Sequence, residues 1–141
     1  MIDSSYLITP FLAWLIAGIL KFIINSIKAK KLALELVGYG GLPSNHSAIV
    51  SSTAALIAFN EGFHSAAFGV AITLAFIVIL DANALRQQIG KHAKAINRLL
   101  DPSMEKKLLR ERMGHTKVEI VAGILAGIGV AAFIHILEFK I

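Results

Sequence analysis

The 141-residue chain contains no cysteine. Disulfides and thiolate-held metals are therefore excluded, and no redox compartment can be read from it. Its Asp, Glu and His residues nowhere fall at metal-ligand spacing. No internal repeat and no low-complexity segment is present. The first apolar run is not expected to be a secretory signal: Asp3 makes the start acidic, and no small-residue cleavage site follows the run. Acidic residues are few, nine against fourteen Lys and Arg, for a net charge of +5. No aromatic stacking platform accompanies that charge, so nucleic acid is not the expected partner. Missing too is the polar share of a soluble domain: 56% of the residues are hydrophobic, against about 45–50% in soluble chains.

That apolar excess lies in long runs, which implies one integral membrane domain over residues 1–141. The expected fold is all-α: a polytopic helical bundle of about four transmembrane helices plus a cytoplasmic amphipathic helix. The spans run from about Leu7 to Ile27, Ser47 to Phe63, Ala66 to Leu80 and Val118 to Leu137. The middle two are short for a bilayer core of about 30 Å, and a Glu61-Gly62 turn separates them. Twelve of the fourteen basic residues lie in two segments, Lys28 to Lys31 and Arg86 to Lys117. By the positive-inside rule both segments face the cytoplasm, and both termini face out. Lys21, about two turns from the inner end of span one, can snorkel to the interface or reach into a polar site, and snorkelling is the expected course.

Between spans three and four, Ala82, Leu85, Ile89, Ala93, Ile96 and Leu100 recur at steps of three or four. They mark an amphipathic helix with a basic opposite face. Asp101-Pro102 breaks it and opens a second short helix to about Met113, which Gly114 stops. Thr116 and Glu119 form a capping box for span four. Gly123 and Gly127 make a small-xxx-small pair there, a sign of close helix packing with a partner in this chain or in a second copy.

Three clusters could carry chemistry. In Gly40-Gly41-Leu42-Pro43-Ser44-Asn45-His46-Ser47, the glycines allow close backbone approach to an anion. The start of span two offers unpaired N–H groups and the positive end of a helix dipole. Ser44 and Ser47 can cap that helix or donate to phosphate oxygens, and His46 can deliver a proton near neutral pH. In the second cluster His115 and Glu119 stand four apart, so on a shared face a carboxylate could fix the imidazole tautomer; alternatively, Glu119 only closes the cap. In the third, Asp81, Asn83 and Arg86, the arginine could fork two phosphate oxygens or belong to a charged helix face. His64, His92 and His135 read as bland, and Glu138 and Lys140 as a solvated tail.

The order Pro43-Ser44-Asn45-His46-Ser47, Asp81-Ala82-Asn83-Ala84-Leu85-Arg86, then Gly114-His115-Thr116 before the last span, resembles the type 2 phosphatidic acid phosphatase superfamily, related to vanadium haloperoxidases. More closely it resembles the small divergent branch of that family. The resemblance implies a helical phosphatase that needs no metal or cofactor and works through a phosphohistidine. On that pattern His115 attacks phosphorus, His46 protonates the leaving oxygen, and Glu119, in place of the usual Asp, orients His115. Gly41, Ser44, Asn45, Ser47 and Asp81 would line the phosphate site. Three departures stand out. The family's Lys-x6-Arg-Pro signature is absent, Asn45 replaces a Gly, and no Ser-Arg stands before His115. Arg86 is the expected replacement cation, with Lys31 and Arg112 behind it.

These features together predict a phosphatase of the cytoplasmic membrane that hydrolyses a lipid phosphate or pyrophosphate at the cytoplasmic face. The competing expectation is a non-catalytic binder of anionic lipid or phosphate, or a transporter subunit. The lipid bilayer is a partner in both. Four short spans are few for burying a site, which favours a homodimer in either reading.

Overall fold

The computed structural model describes residues 4–30, 32, 41–100, 108–111 and 113–138. Among them there are helices and no strands. Helix α1 is Ser5–Ala29, α2 is Asn45–Glu61 and α3 is Ala66–Leu80; a π-helical turn, Asp81–Leu85, leads straight into α4, Arg86–Leu99; α5 is Lys117–Glu138. The expected all-α bundle is what forms. Lys31, Arg112, Asp101 and Pro102 lie outside the described residues.

Among the described residues three helices are long and apolar enough to cross a bilayer: α1, the continuous Ala66–Leu99 rod and α5. Their outward faces carry exposed Phe11, Trp14, Val70, Phe76, Leu125 and Phe133, the surface that lipid rather than water accommodates. At 17 residues, α2 is short for a span. It packs against α5, α1 and α3, and apart from Leu56 its buried residues are small: Ser47, Ala48, Ser51, Ser52, Ala54 and Ala58. Hydrophobic contrast cannot hold helices together in lipid, so close packing and hydrogen bonds must. Gly123 and Gly127 supply that closeness. A Cβ on Gly123 would run into the Ser44 carbonyl, and one on Gly127 into Ser51 Oγ and the Ala48 carbonyl. The small-xxx-small pair thus has its partner inside this chain. Ser51 Oγ donates to the Ser47 carbonyl at 2.6 Å and stands 3.3 Å from the Ile124 carbonyl of α5.

Two local expectations change. The apolar periodicity after Leu80 divides in two: Ala82 and Ala93 are buried, while Leu85, Ile89 and Ile96 stay exposed. The second short helix is not present over Leu108–Glu111, which is irregular. Its backbone groups are claimed from the side: Asn97 Nδ2 donates to the Leu109 carbonyl at 2.8 Å, and the Leu109 N–H donates to Asn97 Oδ1 at 2.9 Å.

Candidate active site

The C-terminal half of α1, the start of α2, the π turn and the start of α5 meet at one end of the bundle. Each places a polar group there for a local reason. Helix α2 starts at Asn45 because Ser44, extended at φ −71° and ψ 118°, caps it; Ser44 Oγ accepts from the Ser47 N–H at 3.3 Å and from Ser47 Oγ at 3.0 Å. Both serines are fully buried, so their hydroxyls hold the helix start. The Ser44 N–H donates to the Glu119 carbonyl at 2.9 Å and ties this turn to α5. Gly41 is buried with φ +149°, and a Cβ there would stand 3.1 Å from Asn25 Oδ1 of α1. His46 follows in the first turn of α2.

His115 precedes α5 and is 8% exposed. The expected capping box is formed: the Glu119 N–H donates to Thr116 Oγ1 at 3.2 Å, and the Thr116 N–H donates to Glu119 Oε2 at 2.9 Å. That same carboxylate oxygen lies 3.3 Å from His115 Nδ1. Glu119 therefore does both jobs that the sequence left open. A carboxylate accepts only, which assigns the hydrogen of neutral His115 to Nδ1 and leaves Nε2 with a free lone pair. Burial pushes the His115 pKa below the ordinary imidazole range; Glu119 opposes the shift through its hydrogen bond and charge.

The π turn supplies the third part. Its widened ladder sends the Arg86 N–H to the Asp81 carbonyl, five residues back, and the Ala82 carbonyl accepts the His115 N–H at 3.0 Å. Such π insertions recur at functional sites because they redirect one backbone group and one side chain. Arg86 points inward: Nε donates to Asp81 Oδ2 at 3.2 Å, and Nη2 lies 3.1 Å from His46 Nε2. A guanidinium only donates, so His46 Nε2 is the acceptor and the neutral ring carries its hydrogen on Nδ1. His46 Nδ1 and Asn45 Oδ1 are buried and have no hydrogen-bond partner among the described residues. The ring centroids of His46 and His115 are 5.9 Å apart.

The structure thus brings together His46, His115, Glu119, Arg86 and Asp81, with Gly41 and Asn45 beside them. It engages Ser44 and Ser47 in the helix cap. It also adds Lys21, which takes the polar-site course rather than the expected snorkelling one. Lys21 is half-buried and within electrostatic reach of Glu119, His46 and His115. The signal for it was present. Gly18, Lys21 and Asn25 mark one face of α1 at helical steps, and that face meets Asn45 and Gly41. Among the described residues no group of three or more His, Asp or Glu side chains could hold a metal ion.

A family model described as the divergent PAP2 family matches residues 2–130. The chain belongs to the divergent PAP2 family. One relative is the uncharacterized membrane protein YuiD of Bacillus subtilis (strain 168), 32% identical over 145 residues, covering 91% of this chain and 92% of that protein. No solved structure matches the chain. The family, the three apolar helices and the membrane-protein relative make this chain a membrane protein of PAP2 kinship. At the far end of the bundle this divergent PAP2 chain carries a separate polar contact. Asn60 Oδ1 faces His135 Nδ1, and Asn60 Nδ2 donates to Glu138 Oε2 at 3.0 Å. Glu138 is thus fastened to α2 rather than loose in a tail; Lys140 lies outside the described residues.

Proposed function

We propose that this protein is a membrane phosphatase that cleaves a lipid phosphate or pyrophosphate by way of a phosphohistidine on His115. The observation that carries the reading is the pair of imidazoles 5.9 Å apart, one backed by a carboxylate and the other touched by an arginine. Hydrogen-bond reach is roughly 3 Å on each side, so one phosphoryl group can meet both rings. His115 Nε2 forms a bond to phosphorus as the bond to the leaving oxygen breaks. Protonated His46 gives its proton to that oxygen, and Glu119 holds the Nδ1–H of His115 as positive charge develops on the ring. Water then attacks phosphorus, gives a proton to His46, and the P–N bond breaks to release phosphate. Arg86 and Lys21 supply fixed positive charge to the transferring phosphoryl group, usually the largest catalytic contribution. When Arg86 turns to phosphate it leaves His46 Nε2, and that nitrogen becomes able to take up the proton it must deliver.

The positive-inside rule supports the same reading: the basic segments favour the cytoplasmic face for this end of the bundle. Helix starts sit at headgroup depth, where anionic lipids gather. Phosphatidate, phosphatidylglycerophosphate and a polyprenyl pyrophosphate are the substrates to try. The test is phosphate release by purified protein from these dispersed lipids with EDTA present. Release that His115→Ala abolishes supports the reading. No release from any of them, or equal release by His115→Ala, refutes it, and binding without turnover makes the protein an anion binder.

A further inference from the structure

The stretch that delivers His115 is tied along its length to α4. At the far end Asn97 grips Leu109 by both backbone groups, at 2.8 and 2.9 Å, and its Nδ2 also reaches Glu111 Oε1 at 3.0 Å. At mid-length Gly90 permits close approach: a Cβ there would strike the Glu111 carbonyl and stand 3.4 Å from Met113 Cβ. At the near end the His115 N–H donates to the Ala82 carbonyl at 3.0 Å, and Gln87 Nε2 donates to the His115 carbonyl at 3.4 Å. Gly114, at φ +85°, packs on Gln87, where a Cβ would come within 2.8 Å of Cγ.

Between its two ends the stretch is turned rather than extended: the Met113 N–H donates to the Glu111 carbonyl at 3.1 Å, and Gly114 bends the chain at φ +85°. The near end is held to α4 by one backbone bond and one long amide bond, and the capping box of α5 fixes the residue that follows His115. The Asn97 clamp fixes the segment that enters these turns.

We propose that Asn97 is a positioning residue: acting through Leu109 and Glu111, it holds the His115 imidazole in register with Glu119 and His46. The proposal rests on the phosphatase reading for the role of His115, and its test does not depend on turnover alone. Asn97→Ala and Asn97→Asp are compared with the natural chain in detergent after size-exclusion chromatography. Misplacing a reacting group by about 1 Å costs on the order of 100-fold in rate, so kcat should fall about 10- to 100-fold while KM stays within about twofold. His115 should also react faster with diethyl pyrocarbonate, read by peptide mass spectrometry, with exposed His64 and His92 unchanged. Asn97→Asp sets a carboxylate against the Leu109 carbonyl and the Glu111 carboxylate. Adding Glu111→Gln, whose amide can donate to Asp, should restore part of kcat, a compensation that general destabilisation does not give. If the Asn97 variants fail to fold, Leu109→Pro, in a stretch that is already irregular, removes the N–H that Asn97 accepts and repeats the test. Folded variants with natural kcat and natural His115 reactivity overturn the proposal. A natural chain that hydrolyses no phosphate, whose His115 still reacts faster in Asn97→Ala, leaves the positioning role standing and defeats the phosphatase reading alone.

Discussion

Glu119→Gln is the most informative single change, because it preserves shape and removes charge. The glutamine carbonyl can still accept the Thr116 N–H, now made to Oε2 at 2.9 Å, and the Thr116 Oγ1 contact to the backbone is untouched. The capping box therefore survives, and thermal stability should change by less than about 1 kcal/mol. What is lost is the charged partner of His115 Nδ1 at 3.3 Å. Both side chains are only about a tenth exposed, 9% and 10%, so water does not screen the pair. A hydrogen bond to a charged group contributes about 1.5–3 kcal/mol, against about 0.5–1.5 for a neutral pair. The difference, about 1–2 kcal/mol, converts to roughly 5- to 30-fold in rate. The flipped amide, which would donate to Nδ1 and move the ring hydrogen to Nε2, sets an N–H against the Thr116 N–H and is disfavoured, because one oxygen serves both contacts. The assay is phosphate release against pH with EDTA present, alongside thermal unfolding in the same detergent. Glu119 also opposes the downward shift of the His115 pKa. Its removal should thus carry the acid limb of kcat/KM to still lower pH as the maximum rate falls. A variant with the natural rate and an unmoved acid limb would refute the assigned role of Glu119.

The other expectations concern charge, packing and protons. Arg86→Ala should lower kcat by about 10²–10³-fold if it faces the transition state, and Arg86→Lys should not restore it, since an ammonium lacks the planar fork; steady-state kinetics decide. Lys21→Met keeps the stem and deletes the charge, so it should weaken phosphate or vanadate binding in a competition assay, whereas Lys28→Met, on an exposed position, should not. Gly123→Ala drives a methyl into the Ser44 carbonyl and Ser47 Cβ and should destabilise by about 1–3 kcal/mol in thermal unfolding. Gly129→Ala meets nothing within 4 Å and should be neutral. Because burial holds the folded-state pKa of His115 below the ordinary imidazole value, the unfolded chain binds more protons there, so His115 should reduce stability as pH falls through and below about 6.5. His115→Asn should flatten that part of the stability profile.

Much of this was legible because its causes are local. Runs of apolar residues identify the membrane helices, and Ser44 and Thr116 mark helix starts by offering oxygen to open N–H groups. The Thr116–Glu119 box was readable from spacing alone. Other features escaped because their causes are distant in sequence. The irregular path of Leu109–Glu111 depends on an amide from α4, and no window of sequence around Leu109 contains Asn97. Lys21 stood between snorkelling and a polar site because its partners belong to α2 and α5. The π turn has no composition of its own, and the Ala82 carbonyl meets the His115 N–H only once α5 is in place.

By itself the sequence determined an all-helical membrane chain, its helix starts and the imidazoles, carboxylate and arginine able to handle phosphate. Tertiary structure decided which of them meet. It placed His46 beside His115, turned Arg86 onto His46, drew Lys21 inward and gave Ser44 and Ser47 to the helix cap. The physical reason is that a side chain's type is written locally, whereas its distance from another depends on how closely helices approach. Here Gly123 and Gly127 set that approach, and a π turn sets the direction.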